Sequence, residues 1–233
     1  DPDICLKNKR YSNNLNVKKT KKLIDILIKK NIYFIFFSSE YIFDGKKGNY
    51  SENSRAIPNN LYGKQKLNVE NYIRKKAQNF SIFRIGKTYG SDIRDRTLIS
   101  NFLIEIIKGK LIFKVANDQV FNPLYIEDLK KIVSIFLTKK IKGTFNVGGP
   151  LQLSRLQVLK IIFQILGKKI ESKVKIQEIS LNEFTTFDNR PLNVSMNIKK
   201  LKSKIDFKMK NIRNIAIKMI NKHNVKSKIF KRR

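Results

Sequence analysis

Strand-length apolar runs alternate with amphipathic stretches early in the chain, and this alternation restricts the fold more than any other feature. Apolar residues recur along residues 17–30 as on a helix with one buried face. Residues 32–37 form a continuous aromatic and β-branched run, which predicts a strand buried on both faces. A second helix–strand pair is predicted at residues 61–77 and 80–85. Helices and strands repeated in this order favour parallel β–α–β crossovers and therefore a doubly wound α/β sheet.

Local signals define the remaining elements. Asn59 or Asn60, just after Pro58, is the expected cap of the helix at 61–77. A further strand is predicted near residues 3–6, where we expect it to be short. Later elements are helices at 98–108, 126–137 and 156–166 and a strand at 144–147.

These elements suggest three parts. We assign residues 1–90 to the C-terminal part of a Rossmann-like nucleotide-binding domain. Residues 91–221 form a smaller, mainly substrate-binding region from which segments around 116–150 return to the sheet. Residues 222–233 form a basic tail that we expect to be disordered and dispensable for chemistry.

The glycines do not provide a dinucleotide-binding turn. Such a sheet opens with a strand, a glycine-rich turn and a helix, yet none of the ten glycines forms G-x-G-x-x-G or G-x-x-G-x-x-G. The chain begins instead on what looks like the fourth strand. We therefore expect a sheet that lacks its first strands, and a chain that binds NAD(H) or NADP(H) only weakly.

Composition limits the class of protein. The net charge of +32 allows either a biased composition on a solvated surface or a polyanion site, and the scattering of basic residues along the chain favours the first. One cysteine, Cys5, permits no internal disulfide, so a reducing cytoplasm is the simplest setting. No apolar run reaches the ~18 residues of a membrane span.

Three polar residues suggest acid–base chemistry. Ser39 ends the strand at 32–37, and Tyr62 and Lys66 are spaced i to i+4, which places them on one helix face. A free tyrosine has a pKa near ~10, and a nearby ammonium favours the phenolate. Lys66, aided by a cationic nicotinamide, is therefore expected to lower the pKa of Tyr62, while Ser39 orients a substrate carbonyl that Tyr62 protonates.

Several motifs in one order resemble the dTDP-4-dehydrorhamnose reductases, which are extended short-chain dehydrogenases/reductases. The matching segments are residues 38–45 (SSEYIFDG), 50–53 (YSEN), 58–70 (PNNLYGKQKLNVE), 83–90 (FRIGKTYG), 117–129 (NDQVFNPLYIEDL), 143–150 (GTFNVGGP) and 190–201 (RPLNVSMNIKKL). The resemblance implies NADPH- or NADH-dependent reduction of a nucleotide-linked 4-keto-6-deoxy sugar, with Tyr62 as the acid, Lys66 on the nicotinamide ribose and Ser39 on the substrate carbonyl.

The resemblance also assigns further contacts by position. Glu40 and Tyr41 fall beside the substrate, with Glu40 replacing the usual aspartate. Lys87 falls where some members place a substrate-contacting aromatic residue. Arg190 is either a contact to the substrate diphosphate or part of a structural ion pair. Ser12 is the candidate to replace a threonine that contacts the cofactor in the family.

Alternative functions remain. One is a nucleotide-sugar epimerase or dehydratase, although the sequence shows no clear additional acid–base residue. Another is a non-catalytic regulatory relative, like the β subunit of methionine adenosyltransferase. We expect no membrane, metal or nucleic-acid site, and the resemblance allows a homodimer. His223, the only histidine, is expected to be solvated in the tail.

Overall fold

The computed structural model describes residues 2–230 and forms an α/β fold. The helices are α1 (Pro2–Lys7), α2 (Lys9–Asn13), α3 (Thr20–Lys29), α4 (Leu61–Lys76), α5 (Leu98–Ile107), α6 (Ile126–Lys139), α7 (Arg155–Leu166), α8 (Lys168–Glu171), α9 (Lys199–Lys202), α10 (Ile212–Lys222) and α11 (Val225–Phe230). The strands are β1 (Phe34–Ser39), β2 (Phe80–Ile85), β3 (Thr88–Tyr89), β4 (Ile112–Ala116), β5 (Val120–Phe121), β6 (Leu124–Tyr125), β7 (Gly143–Val147), β8 (Leu153–Ser154) and β9 (Lys175–Ile179). A π-helical stretch, Asn14–Lys19, joins α2 to α3.

A parallel sheet of β1, β2 and β7 lies at the centre, with β2 in the middle. Successive strand residues face opposite sides of a sheet. Ile82 accordingly packs with Val69 of α4, whereas Phe83 packs on the other face against Phe136 of α6, with ring centroids 4.7 Å apart. Helices cover both faces, which confirms the predicted doubly wound α/β architecture.

A second hydrophobic core lies outside the central sheet. The parallel pair β4–β9 packs with α5, α7 and α10. Leu103, Phe113, Phe163 and Ile215 are buried in this cluster. No helix within residues 2–230 combines the length and apolar character needed to cross a bilayer.

The N-terminal strand prediction is wrong. Residues 3–6 lie in the helix α1, whose buried residues, Pro2 and Cys5, are three positions apart. That spacing places both on one helix face, and proline is tolerated in the first turn because its missing N–H has no partner there anyway. A run of four residues was too short to distinguish a strand from a helix by its period.

The strand at 32–37 is less buried than its sequence predicted. Within the described chain β1 pairs only with β2, so it is an edge strand of the sheet. The side chain of Phe37 is 45% exposed. The apolar run therefore predicted the strand correctly, but the predicted burial of the strand on both faces is wrong.

The start of the basic tail is ordered, contrary to the prediction. α11 follows α10 after a short turn, and Val225 is fully buried in the second core with Ile229 packed against it. Nε2 of His223 accepts a hydrogen bond from the Ile93 N–H at 3.3 Å, so this histidine is packed rather than solvated. Val225 and Ile229 are an apolar pair at i and i+4, which is typical of a helix with a buried face. The many basic residues of the tail hid this pattern. Residues 231–233 of the predicted tail lie outside the described residues.

Candidate active site

An open cavity of ≈ 770 Å³ lies where β1 and β2 end. Ser38 and Ser39 close β1, and Gly86 and Lys87 follow β2, and all four line this cavity. The carboxyl ends of parallel strands are where open α/β sheets bind ligands.

The first turn of α4 carries Tyr62 into the cavity. Asn60 caps this helix, because its Oδ1 accepts a hydrogen bond from the Gly63 N–H at 2.7 Å. A side chain at Gly63 would collide with the carbonyl oxygen of Tyr41, so glycine lets the helix approach the strand end closely. The rings of Tyr41 and Tyr62 consequently lie edge to face, with centroids 6.4 Å apart.

Ser39 and Lys66 stand beside Tyr62. Burial raises the pKa of Tyr62, and a hydrogen bond with the Ser39 side chain opposes this rise. The Lys66 ammonium is 5.7 Å from the Tyr62 ring centroid and donates a 2.8 Å hydrogen bond to the Phe37 carbonyl oxygen. Strand end and helix thus bring together the three residues that the sequence proposed as catalytic.

The expected lowering of the Tyr62 pKa is not found. Tyr62 has a raised pKa rather than a lowered one, since desolvation of the phenolate dominates. Burial also lowers the pKa of Lys66 itself. Tyr62 is therefore held in its protonated form at neutral pH, which suits a proton donor.

Glu40 and Lys87 lie near each other in the lining of the same cavity. Only 6% of Glu40 is exposed, and its Oε2 has no hydrogen-bond partner within residues 2–230. Burial raises the pKa of Glu40, and the nearby Lys87 opposes that shift. Burial likewise lowers the pKa of Lys87, helped by repulsion from Arg155. These are two of the positions that the resemblance places beside the substrate.

Positive charge dominates the cavity wall. Its lining includes one carboxylate, Glu40, and five cationic side chains, which are those of Lys66, Lys87, Arg96, Arg155 and Arg190. Arg190 forms an ion pair of 2.9 Å with Asp3 and a hydrogen bond with Tyr41. It therefore takes part in a structural ion pair, as one of its two predicted roles required, and it also lines the cavity. Such a wall favours an anionic ligand next to Tyr62.

Arg155, like Arg96, lines the cavity without having been predicted from the sequence. It is the first residue of α7 and donates a hydrogen bond through Nε to Oε1 of Gln119. Burial lowers its pKa, and repulsion from Arg190 adds to the effect. It lies 93 positions after Tyr62 in the sequence, in a segment with no motif of its own, so only the fold reveals its place.

Ser12 does not line this cavity. Its hydroxyl donates to the Cys5 carbonyl oxygen at 2.9 Å and accepts from Nε2 of Gln65 at 2.9 Å. These bonds fasten the N-terminal helices to α4. The position gives no support to a cofactor contact for Ser12, and that role stays a prediction.

The nicotinamide end of a dinucleotide fits the cavity better than its pyrophosphate end. Ser38 is 4% exposed, and its hydroxyl has no hydrogen-bond partner in the part of the chain that is described, so a polar ligand group beside Lys66 would satisfy it. A pyrophosphate normally needs a glycine-rich turn between a strand and a helix, and residues 2–230 form none. These residues also contain no cluster of histidine, cysteine, aspartate and glutamate that could hold a metal ion.

Comparisons with known proteins agree on a family. The profile of the RmlD substrate binding domain matches residues 1–225. The chain is 28% identical over 168 residues to methionine adenosyltransferase 2 subunit beta of Xenopus laevis, covering 67% of this chain and 49% of that protein. It is 24% identical over 200 residues to dTDP-4-dehydrorhamnose reductase of Aggregatibacter actinomycetemcomitans, covering 81% of this chain and 66% of that one.

A solved structure shares the fold. The dTDP-4-dehydrorhamnose reductase of Bacillus anthracis, in complex with NADP, has a TM-score of 0.80 at 20% identity, covering 94% of this chain and 76% of that one. The chain spans about half the length of the Xenopus laevis relative. Because the family profile covers nearly all of its residues, the chain belongs to the RmlD substrate binding domain family, that of the dTDP-4-dehydrorhamnose reductases.

Proposed function

We propose that this chain carries the acid–base and substrate-binding part of an NAD(P)H-dependent reductase that acts on a nucleotide-linked 4-keto-6-deoxy sugar. One observation carries the proposal: Tyr62, Ser39 and Lys66 meet in a cavity whose wall is strongly cationic. A proton donor beside an anion-binding surface is the combination that reduction of a carbonyl on a diphosphate-linked sugar requires.

The side chains divide the work of the reaction. A bound nicotinamide cofactor supplies the hydride. Tyr62 is kept protonated by burial and gives its phenolic proton to the oxygen that was the carbonyl. Ser39, hydrogen-bonded with Tyr62, orients that oxygen, and Lys66 holds positive charge beside the phenol to stabilise the phenolate that remains.

A nicotinamide dinucleotide is the cofactor we propose, with Tyr62 and Lys66 as its contacts. The support is the unpartnered Ser38 hydroxyl beside Lys66 and the NADP complex of the Bacillus anthracis reductase. Calorimetric titration of the protein with NADH and with NADPH measures its preference between the two.

Substitution of the phenol tests the proposed function. NADPH oxidation is followed with a dTDP-4-keto-6-deoxy sugar, both on this chain and on the chain joined behind the dinucleotide-binding half of a homologous reductase. Tyr62→Phe removes the proton donor and should lower the rate by about 100-fold or more. Tyr72→Phe, on the same helix but outside the lining of the cavity, should leave it unchanged. A Tyr62→Phe protein as active as the parent would contradict the proposal.

A second candidate function rests on the Xenopus laevis relative, which is a subunit of methionine adenosyltransferase. In that case the chain would bind a catalytic subunit without performing reduction. Co-purification with a methionine adenosyltransferase catalytic subunit, in the absence of any reductase activity, would favour this candidate over the first.

A further inference from the structure

A separate concave surface, with a cavity of ≈ 700 Å³, belongs to the N-terminal segment, which runs from α1 to the π-helical stretch. These short helices pack on one another, and the cavity is lined by residues between 7 and 18 alone. None of these residues lines the cavity that contains Tyr62. The surface is therefore independent of the candidate catalytic residues.

This cavity carries positive charge without any negative charge to balance it. No acidic residue lines it, and four basic residues do: Lys7, Lys9, Arg10 and Lys18. Residues 4–24 contain seven basic residues and no acidic one, whereas the whole chain has 18 acidic residues against 50 basic ones. Within residues 2–230, Lys9, Arg10 and Lys18 form no ion pair. The surface therefore attracts a ligand with several negative charges.

Two exposed aromatic rings accompany this charge. Tyr11 lines the cavity and is 69% exposed, and Phe187 is 68% exposed, the two largest values among the aromatic side chains of residues 2–229. Lys7 connects them, because it lines the cavity together with Tyr11 while its Nζ lies 3.7 Å from the Phe187 ring centroid. Water contact with such rings is unfavourable, and a planar ligand group stacked on them would remove it.

A polymer of phosphates and bases fits these features together. Basic side chains that follow the phosphates, with aromatic rings on which bases stack, are the combination by which proteins hold single strands. The remaining lining residues are amides, Asn8, Asn13 and Asn14, which can donate to and accept from the edges of bases. In a duplex the bases stack on each other, so their faces are closed to Tyr11 and Phe187. A flat membrane would not reach into a concave surface.

We propose that the N-terminal segment binds single-stranded nucleic acid. Phosphate groups lie on Lys9, Arg10 and Lys18, and bases stack on Tyr11 and on the face of Phe187 that Lys7 leaves open. This function is additional to reduction and does not depend on it. It also differs from the expectation from the sequence, because charge that is scattered along the chain as a whole is concentrated on this one concave surface.

Fluorescence anisotropy of labelled oligo(dT) and oligo(U) with the 233-residue chain, at several salt concentrations, tests the proposal. Both strands should bind, since DNA and RNA share phosphates and base faces, and binding should weaken as salt rises. Replacing Lys9, Arg10 and Lys18 together by glutamine should weaken binding about 10-fold or more and reduce the slope of log affinity against log salt by about 2. Tyr11→Ala with Phe187→Ala should also weaken binding about 10-fold or more, with the slope unchanged. Tyr11→Phe with Phe187→Tyr keeps both rings and should keep the affinity.

A matched control removes the same amount of charge elsewhere, by glutamine substitution of three exposed lysines outside the cavity, Lys139, Lys142 and Lys204. This protein should bind the strands nearly as well as the parent, and thermal unfolding checks that each variant is folded. Equal weakening in the control and in the cavity variant would show that overall charge, rather than this surface, binds the strands, and would overturn the inference. So would a parent protein that binds neither strand but co-sediments with phosphatidylserine vesicles, since the surface would then be a membrane contact.

Discussion

The segment from β1 to β2 contains α4, and the N-terminal segment from α1 to the π-helical stretch packs against that helix, yet the two segments differ in how they relate to the site. The first supplies Ser39, Tyr62 and Lys66 to the cavity. The second contributes Pro2 to its lining and otherwise holds α4 from behind, through bonds such as Asn16 to Gln65 at 2.8 Å. The candidate catalytic residues are concentrated in one segment, and the other segment packs against the helix that carries two of them.

Deleting buried volume from the β1–β2 segment should have the largest effect on stability. Phe83 is fully buried against Phe136 and lies at the centre of the sheet. Phe83→Ala should lower the free energy of unfolding by about 3–5 kcal/mol, measured by urea denaturation. Tyr11→Ala, in the N-terminal segment where the side chain is 69% exposed, should change it by less than about 0.5 kcal/mol. Equal losses of unfolding free energy in the two variants would contradict the difference in packing between the two segments.

The buried Glu40 should make stability depend on pH. Burial raises its pKa from 4.5 to about 8, so the folded chain binds this proton more tightly than the unfolded chain. The stabilising contribution is complete below pH 4.5 and is lost as the pH rises toward about 8. The pKa of Lys87 is lowered from 10.5 to about 8, so Lys87 makes stability depend on pH only above about pH 8.

Glu40→Gln should therefore flatten the pH profile of the unfolding free energy between these limits. Denaturation curves at several pH values measure the slope, and Glu127→Gln, an exposed carboxyl paired with Lys130, serves as the control. A slope that is the same in Glu40→Gln and in the parent protein would show that Glu40 titrates normally.

Helix caps provide a smaller but sharper comparison. Asn60 bonds the Gly63 N–H and the Asn189 carbonyl oxygen, whereas Asn8, at the start of α2, makes no side-chain cap bond. Asn60→Ala should destabilise the protein by about 1–2 kcal/mol, and Asn8→Ala should have little effect. Chemical denaturation of the two variants side by side measures the difference. A larger loss of unfolding free energy for Asn8→Ala than for Asn60→Ala would contradict the role of Asn60 as the stabilising cap.

The contrast between segments also explains what the sequence could predict. The strand at 80–85 and Asn60, one of the two candidate caps, were predicted because their signals are local: a run of aromatic and β-branched residues, and a polar residue just before a helix. Tyr62, Lys66 and Ser39 were found because a motif fixes their order, and the fold brings them into one cavity.

Other features depend on tertiary contacts that no local pattern records. α1 is helical because Pro2 and Cys5 share a face that packs on α4. Arg155 enters the cavity only because α7 begins beside Gln119. The raised pKa of Tyr62 follows from its depth of burial, which the i to i+4 spacing to Lys66 could not reveal.

The central claim is that this site protonates a reduced carbonyl, and the origin of the new hydrogen in the product tests it most directly. The protein, joined to a dinucleotide-binding half, is supplied with a 4-keto-6-deoxy sugar nucleotide and deuterium-labelled NADPH in ordinary water, and the product is analysed by mass spectrometry and NMR. The account predicts a product with one deuterium on the former carbonyl carbon. The Tyr62→Phe protein should form little or none of this labelled product. A product without that deuterium, or one that gains solvent hydrogen on a neighbouring carbon when the reaction is run in D₂O, would contradict it and point to epimerase or dehydratase chemistry.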